Sequence, residues 1–209
     1  MEVLQLFPIP VLKTKVPLKY STVFPFLEKI PHTIGQGASQ HYGEKSLNTY
    51  ILELPELTDL KQYILDTINV FSETQLHYKS NLSYKLTQSW TTIKRPGQQH
   101  LMHSHPNSLI SGVFYYGDIV PSTPSIFFAR DTGTSRDPLI SHPYIDDQIE
   151  DSLNTVNVFT PPGTLLIFPS WLRHGVPLNT TNVSRKSLAF NSVPEEGFGE
   201  IDRLTRLEF

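Results

Sequence analysis

The chain has 209 residues, a net charge of −3 and no cysteine. This length fits one large or two small domains and allows a substantial buried core. The slight acidic excess argues against a general nucleic-acid binder, and the lack of cysteine excludes disulfides, thiolate metal sites and cysteine nucleophiles. Residues 1–17 lack the pattern of a secretory signal peptide, and no apolar run approaches the roughly 18 residues of a membrane span. We therefore expect a folded protein without a membrane segment.

The first 83 residues have a mixed α/β character. Two short strands, a short helix and a longer helix are predicted, at 4–7, 11–16, 24–30 and 58–72. In the longer helix, apolar residues spaced by four, four and three positions fall on one face: Leu60, Ile64, Ile68 and Phe71. Thr58 is predicted to cap its N-terminus.

From residue 84 onward the sequence becomes typical of β structure. Its segments are short, rich in Ile, Val, Phe and Tyr, and bounded by Pro, Gly, Asn and Asp. Seven strands are predicted, at 84–93, 109–116, 125–129, 156–160, 164–168, 175–178 and 185–191. So many short strands favour a sandwich, jelly roll or barrel. The polar stretch 132–155 between them is predicted to be a long loop of the kind that forms functional lids.

The histidines are unevenly distributed. His100, His103 and His105 lie close together, and His174 lies near the end of the β region. Residues two apart in an extended chain point to the same face. His103 and His105 can therefore chelate a borderline metal such as Fe(II), Zn(II), Mn(II) or Ni(II). The same three histidines also fit a polar loop without metal, and the pair alone does not decide between the two.

Arg185 begins the last predicted strand, shortly after His174. The plain interpretation is an exposed charge on a strand. The strand is otherwise apolar, however, and a buried arginine needs an anionic partner. Ser187 projects to the same side as Arg185, because the two are two residues apart. The pattern therefore allows an anion site beside the histidines.

This layout resembles the Fe(II)/2-oxoglutarate-dependent oxygenases, in which an H-x-D/E motif is followed by a distant histidine and then by an Arg or Lys. More narrowly, HSHPNSLISGVFYY, FPSWLRHGVPLN and RKSLAFN resemble a family of 2-oxoglutarate–Fe(II) oxygenases found in bacteria and phages. The similarity covers about residues 90–191, and LFPIPV near the start also fits. The resemblance implies a mainly β protein with flanking helices and a double-stranded β-helix (jelly roll, cupin-like). The domain would span 1–209, with its core at 84–191.

The resemblance also implies a metal site. His103 and His174 would bind Fe(II), and His105 occupies the position at which the wider superfamily carries a carboxylate. His105 is therefore expected to be the third ligand, unless an acidic residue such as Asp118 or Asp131 takes that role.

The expected co-substrate is 2-oxoglutarate. Its distal carboxylate would be held by Arg185, with the hydroxyl groups of Ser187 and Tyr116 as additional donors. Tyr115 is expected to face the other side of the strand, and His100 to line the entrance.

The function implied is a dioxygenase that uses Fe(II) and 2-oxoglutarate to hydroxylate an unidentified substrate, in the cytoplasm of a bacterial or phage-infected cell. One alternative is a three-histidine, cupin-type metal dioxygenase that does not use 2-oxoglutarate. Another is a non-enzymatic β-sandwich binding module. Arg185 distinguishes the two enzymes, because the second gives it no ligand. The apolar residues of the segment 201–209 either pack back on the domain or join a second copy in a homo-oligomer.

Overall fold

The computed structural model describes residues 8–17, 22–34, 42–117, 123–129 and 155–208. Two α-helices are described, α1 (Phe24–Leu27) and α2 (Thr58–Thr74), with 3₁₀ turns at Ile51–Glu53 and Pro55–Leu57 before α2. The strands in these ranges are β1 (Leu12–Lys15), β2 (His32–Ile34), β3 (Glu44–Ser46), β4 (Tyr84–Lys94), β5 (His100–His103), β6 (Ile110–Tyr116), β7 (Ile126–Ala129), β8 (Thr155–Val158), β9 (Thr164–Pro169), β10 (Arg173–Val176) and β11 (Arg185–Pro194).

The strands form two antiparallel sheets. The larger sheet has the order β1-β9-β6-β11-β4-β3-β2, and the smaller has the order β5-β10-β7-β8. In the centre of the larger sheet, β9, β6, β11 and β4 are neighbours although none of them is consecutive in sequence, because the strands between them belong to the smaller sheet. The arrangement agrees with the predicted jelly-roll class.

Two apolar clusters cover the two faces of the larger sheet. One contains the buried face of α2 together with Ile110, Phe114 and Phe190 of the sheet. The other contains Val113, Tyr115 and further buried residues of both sheets, and therefore lies between them. The central strand β6 is buried along its whole length for this reason, and the space between the sheets is where a site can be enclosed.

The predicted periodicity of α2 is confirmed, because its apolar face is completely buried: Leu60, Ile64, Ile68 and Phe71. The capping prediction is wrong. Leu57 occupies the N-cap position, no side chain caps the helix, and the Thr58 hydroxyl instead donates to the carbonyl of Pro55 at 2.9 Å. The 3₁₀ turn that runs directly into α2 removes the extended backbone that a capping side chain requires.

Most predicted strands are present with shifted ends. The strand predicted at 175–178 begins at Arg173, so His174 lies within a strand and not in the turn before it. Strands β2, β3 and β5 were not predicted, because each has only three or four residues and includes polar side chains. The predicted strand 4–7 and the predicted loop 132–155 lie outside the described residues, apart from residue 155, which begins β8. Within the described ranges, none of the helices is long and apolar enough to span a membrane.

Candidate functional site

Three histidines converge between the two sheets. His103 ends β5 and is the direct cross-strand partner of His174 on β10. His105 follows β5, and its backbone N–H donates to the carbonyl of Ser170 at 2.9 Å. One ring nitrogen of each histidine lies within 4.8 Å of those of the other two. Two distant segments of the chain thus present three imidazole nitrogens to one point.

The three imidazoles share one hydrogen-bonding pattern. The Nδ1 atoms of His103 and His174 lie 2.8 and 2.9 Å from the carbonyl oxygens of Leu101 and Leu172. The Nδ1 atom of His105 contacts Oδ1 of Asn191. Because all three partners are acceptors, each Nδ1 carries the proton and each Nε2 keeps a free lone pair. This is the state that a metal requires of a histidine ligand.

Burial keeps the histidines neutral. It lowers the pKa of His174 to about 3, and the neighbouring His103 and His105 add to that effect. Burial also lowers the pKa values of His103 and His105 themselves. Desolvation disfavours the charged imidazolium, so the site does not need to lose protons near neutral pH before it binds a cation.

Asn191, which holds His105, is itself held by a chain of hydroxyl groups. Ser111 Oγ donates to Asn191 Oδ1 at 2.9 Å and lies 2.7 Å from Ser170 Oγ. Ser170 Oγ in turn donates to Ser108 Oγ at 2.9 Å. Ser170 therefore bonds to His105 directly through its backbone carbonyl, and its hydroxyl contacts Ser111, which donates to Asn191.

The same cavity continues from the histidines to the larger sheet. Its lining includes Thr92, Arg185 and Ser187 together with the three histidines. Ser187 Oγ lies 3.0 Å from Thr92 Oγ1, so these hydroxyls form one polar wall. The β11 residues Leu188 and Phe190 pack on the other face of the sheet, in the cluster that contains α2. Arg185 and Ser187 have the opposite parity, which confirms that these two share a side of the strand.

Arg185 is buried without an anionic partner among the described residues. It is 3% exposed, and its Nε atom has no hydrogen-bond partner there. The guanidinium carbon lies 4.9 Å from the centre of the Tyr115 ring. A buried guanidinium without a counter-charge is costly, so this end of the cavity is suited to an anion.

The prediction for Tyr116 is wrong. Tyr116 packs in the core cluster on the side of α2, whereas Tyr115 belongs to the cluster between the sheets and contacts Arg185. Both faces of β6 are buried, so its hydropathy does not show which tyrosine faces the cavity.

Some candidates take other positions. His100 lines the cavity, and its ring stacks on His103 with centroids 4.3 Å apart. Asp118 and Asp131, the alternatives to His105, lie outside the described residues. Sequence reasoning missed Asn191. Its signal was strand alternation, because Asn191 has the same parity as Arg185.

Comparison with known families gives one match, in the part of the chain that carries these residues. Residues 88–191 match the model of a family described as "Putative 2OG-Fe(II) oxygenase". No curated protein matches the chain.

Solved structures share the fold at low sequence identity. An oxidoreductase of the 2OG-Fe(II) oxygenase family from Burkholderia pseudomallei superposes with a TM-score of 0.56 at 13% identity, over 86% of this chain and 83% of that one. HygX from Streptomyces hygroscopicus, solved with nickel, 2-oxoglutarate and hygromycin B bound, superposes with a TM-score of 0.57 at 12% identity, over 96% of this chain and 92% of that one. A Pseudomonas putida prolyl-4-hydroxylase superposes with a TM-score of 0.56 at 13% identity, over 88% of this chain and 92% of that one. These similarities support the double-stranded β-helix.

Proposed function

Because this chain belongs to the 2OG-Fe(II) oxygenase family, we propose that it is a dioxygenase that uses Fe(II) and 2-oxoglutarate to hydroxylate a C–H bond of its substrate. The observation that carries this proposal is the content of one cavity. Three neutral imidazoles with free Nε2 atoms line the same space as a buried arginine that has no counter-charge among the described residues. The first feature suits a metal ion, and the second suits a carboxylate.

The donor set fits a divalent first-row metal. His103, His105 and His174 would hold it through Nε2, because each Nδ1 donates to a fixed acceptor. Imidazole suits iron, and three ligands on one side leave coordination positions for other molecules. His105 replaces the carboxylate of the wider superfamily, so the protein ligands add no negative charge to the metal.

The opposite wall would orient the co-substrate. The Arg185 guanidinium would bind the distal carboxylate through two parallel N–H···O bonds. Ser187 and Thr92 line the same space and supply hydroxyl groups beside it. The burial of Arg185 keeps water from competing for that carboxylate, which strengthens the ion pair.

When bound, Fe(II) and 2-oxoglutarate supply the oxidising chemistry with dioxygen, and the co-substrate is converted to succinate and carbon dioxide. The protein positions the reactants and holds the ligand histidines in one tautomer. Trp90 and His100 extend the lining on either side of the histidines; the ring of Trp90 stacks on His105 with centroids 5.9 Å apart.

The two alternative functions account for fewer observations. A three-histidine dioxygenase without 2-oxoglutarate leaves Arg185 buried and without a ligand. A non-enzymatic binding module gives no reason for three histidines to hold the same tautomer around one point.

The decisive experiment is a titration of 2-oxoglutarate into anaerobic Fe(II)-loaded protein, followed by the visible metal-to-ligand charge-transfer band. Arg185→Ala removes the paired hydrogen bonds and should weaken binding by about tenfold to a few hundredfold, since charge-assisted hydrogen bonds contribute roughly 1.5–3 kcal/mol. Arg185→Lys should recover only part of the affinity, because an ammonium group lacks the planar fork.

Lys186→Ala is the matched control. Lys186 neighbours Arg185 on β11, but its ammonium pairs with Glu28, and strand alternation places its side chain on the opposite side of β11 from Arg185. Unchanged affinity in a folded Arg185→Ala protein would refute the anchor role. If the parent protein binds iron but gives no band with 2-oxoglutarate, the three-histidine dioxygenase becomes the better explanation.

A further inference from the structure

A second buried cation lies beside Arg185. Lys94 ends β4 and is the direct cross-strand partner of Arg185 on β11. Lys94 is 2% exposed and Arg185 is 3% exposed. Lysine and arginine are rarely buried to this extent unless they are paired with an anion.

The described residues supply no such anion. Neither Lys94 nor Arg185 forms an ion pair with an acidic side chain of the described ranges. Glu44, on the neighbouring strand β3, is already paired with Arg95. Two like charges that face each other across two strands repel, and no acidic side chain of the described ranges compensates the positive charge at this point.

The backbone makes room for the lysine side chain. Gly43 has a φ of +88°, and a Cβ atom there would lie 2.8 Å from Lys94 Cδ and 3.1 Å from its Nζ. A side chain at position 43 would therefore displace the ammonium group, and glycine also tolerates this backbone angle. Gly43 thus leaves space for a buried Lys94.

Lys94 lies next to the cavity of the histidines. It pairs with Arg185, which lines that cavity, and strand alternation places it on the same side of β4 as Thr92, which lines the cavity as well. Burial, together with the charge of Arg185, lowers the pKa of Lys94 itself to about 7. A carboxylate bound between the two cations would oppose both effects and favour the charged ammonium.

We propose that Lys94 is a second carboxylate-binding residue, which holds the distal carboxylate of the co-substrate together with Arg185. The inference rests on the proposed function. Its consequence is specificity. A site with two buried cations binds a dicarboxylic 2-oxo acid well, and it rejects a 2-oxo acid that has a methyl group in place of the distal carboxylate, because the cations are then left unpaired.

The test compares two ligands in Ni(II)-loaded protein by calorimetric titration: 2-oxoglutarate and 2-oxopentanoate, which lacks the distal carboxylate. Lys94→Met removes the charge and keeps the length of the side chain. It should weaken 2-oxoglutarate binding by about tenfold or more, as expected for one charge-assisted hydrogen bond, and it should not weaken 2-oxopentanoate binding. Lys94→Gln is the second variant and should show the same loss of selectivity.

Lys186→Met is the control, because Lys186 is the next residue to Arg185 on β11 and pairs with Glu28 instead. It should change neither affinity. The melting temperature of the ligand-free protein is the second measurement. It should not fall in Lys94→Met, because the substitution removes one of two buried charges that repel each other.

Three results would overturn the proposal. The first is an equal affinity for 2-oxoglutarate in Lys94→Met and the parent protein, and the second is an equal loss of affinity for both ligands. The third is a lower melting temperature of the ligand-free variant, which would mean that Lys94 serves a structural ion pair. Failure of the proposed function looks different: the parent protein itself would then not prefer 2-oxoglutarate over 2-oxopentanoate, and the role of Lys94 would be rejected with it.

Discussion

Replacement of Asn191 tests whether its side-chain amide orients His105 as a metal ligand. Asn191→Ala removes the acceptor for Nδ1 of His105 and the acceptor for the hydroxyl of Ser111. The imidazole of His105 can then rotate or change its tautomer, so that Nε2 is no longer fixed as the free nitrogen. His103 and His174 keep their backbone acceptors. We therefore expect a weaker site with two oriented ligands and one mobile ligand.

The size of the effect follows from the single hydrogen bond that orients His105. Loss of such an outer partner typically weakens metal binding by about tenfold to a hundredfold, which corresponds to roughly 1.4–2.8 kcal/mol of binding free energy. Asn191→Asp retains the acceptor and adds a negative charge beside the imidazole. This makes the ligand more basic, so the metal affinity of Asn191→Asp should equal or exceed that of the parent protein.

The assay is competition for Ni(II) between the protein and a chromophoric chelator, with chemical denaturation to confirm that each variant is folded. Gln88→Ala is the matched control, since Gln88 is the cross-strand partner of Asn191 on β4 and its side chain is exposed. A folded Asn191→Ala protein with parental Ni(II) affinity would refute the reasoning, because His105 would then either be oriented by something else or not bind the metal.

Three further predictions concern the fold around the site. Gly175→Ala should lower both the stability and the Ni(II) affinity, because the new Cβ would lie 2.6 Å from Cζ of Phe127 and 2.8 Å from the carbonyl oxygen of His100. Relief of such overpacking costs about 1–3 kcal/mol and would move β10. Thermal melting measures the first effect, and metal titration measures the second. Ile64→Ala should reduce the free energy of unfolding by about 2–5 kcal/mol in denaturant titrations and leave Ni(II) affinity unchanged, since Ile64 packs in the cluster on the far side of the larger sheet. Burial lowers the pKa of His100 to about 2 and that of His174 to about 3. The unfolded chain therefore takes up protons below pH 6.5 that the folded protein does not. The free energy of unfolding of the metal-free protein should decrease by up to about 1.4 kcal/mol per pH unit for each of these histidines below that pH, and a flat profile between pH 7 and pH 5 would contradict this.

The sequence by itself determined the features that depend on local periodicity. The spacing of apolar residues in α2 fixed its buried face, because a helix repeats every 3.6 residues whatever lies next to it. In the same way, two-residue alternation placed Arg185 and Ser187 on one side of their strand. The histidines were found because their side-chain chemistry is uncommon and their spacing matches that of a known family.

Only the tertiary structure decided the features that depend on which faces meet. Strand β6 is buried on both sides, so its sequence does not distinguish the face with Tyr115 from the face with Tyr116. Lys94 looks like an ordinary surface lysine until the pairing of β4 with β11 places it beside Arg185. Asn191 acquires its role only when β11 brings its amide to His105, which lies 86 residues away along the chain. Local periodicity fixes the direction of a side chain within its own element, but its partner is fixed by strand pairing between distant segments.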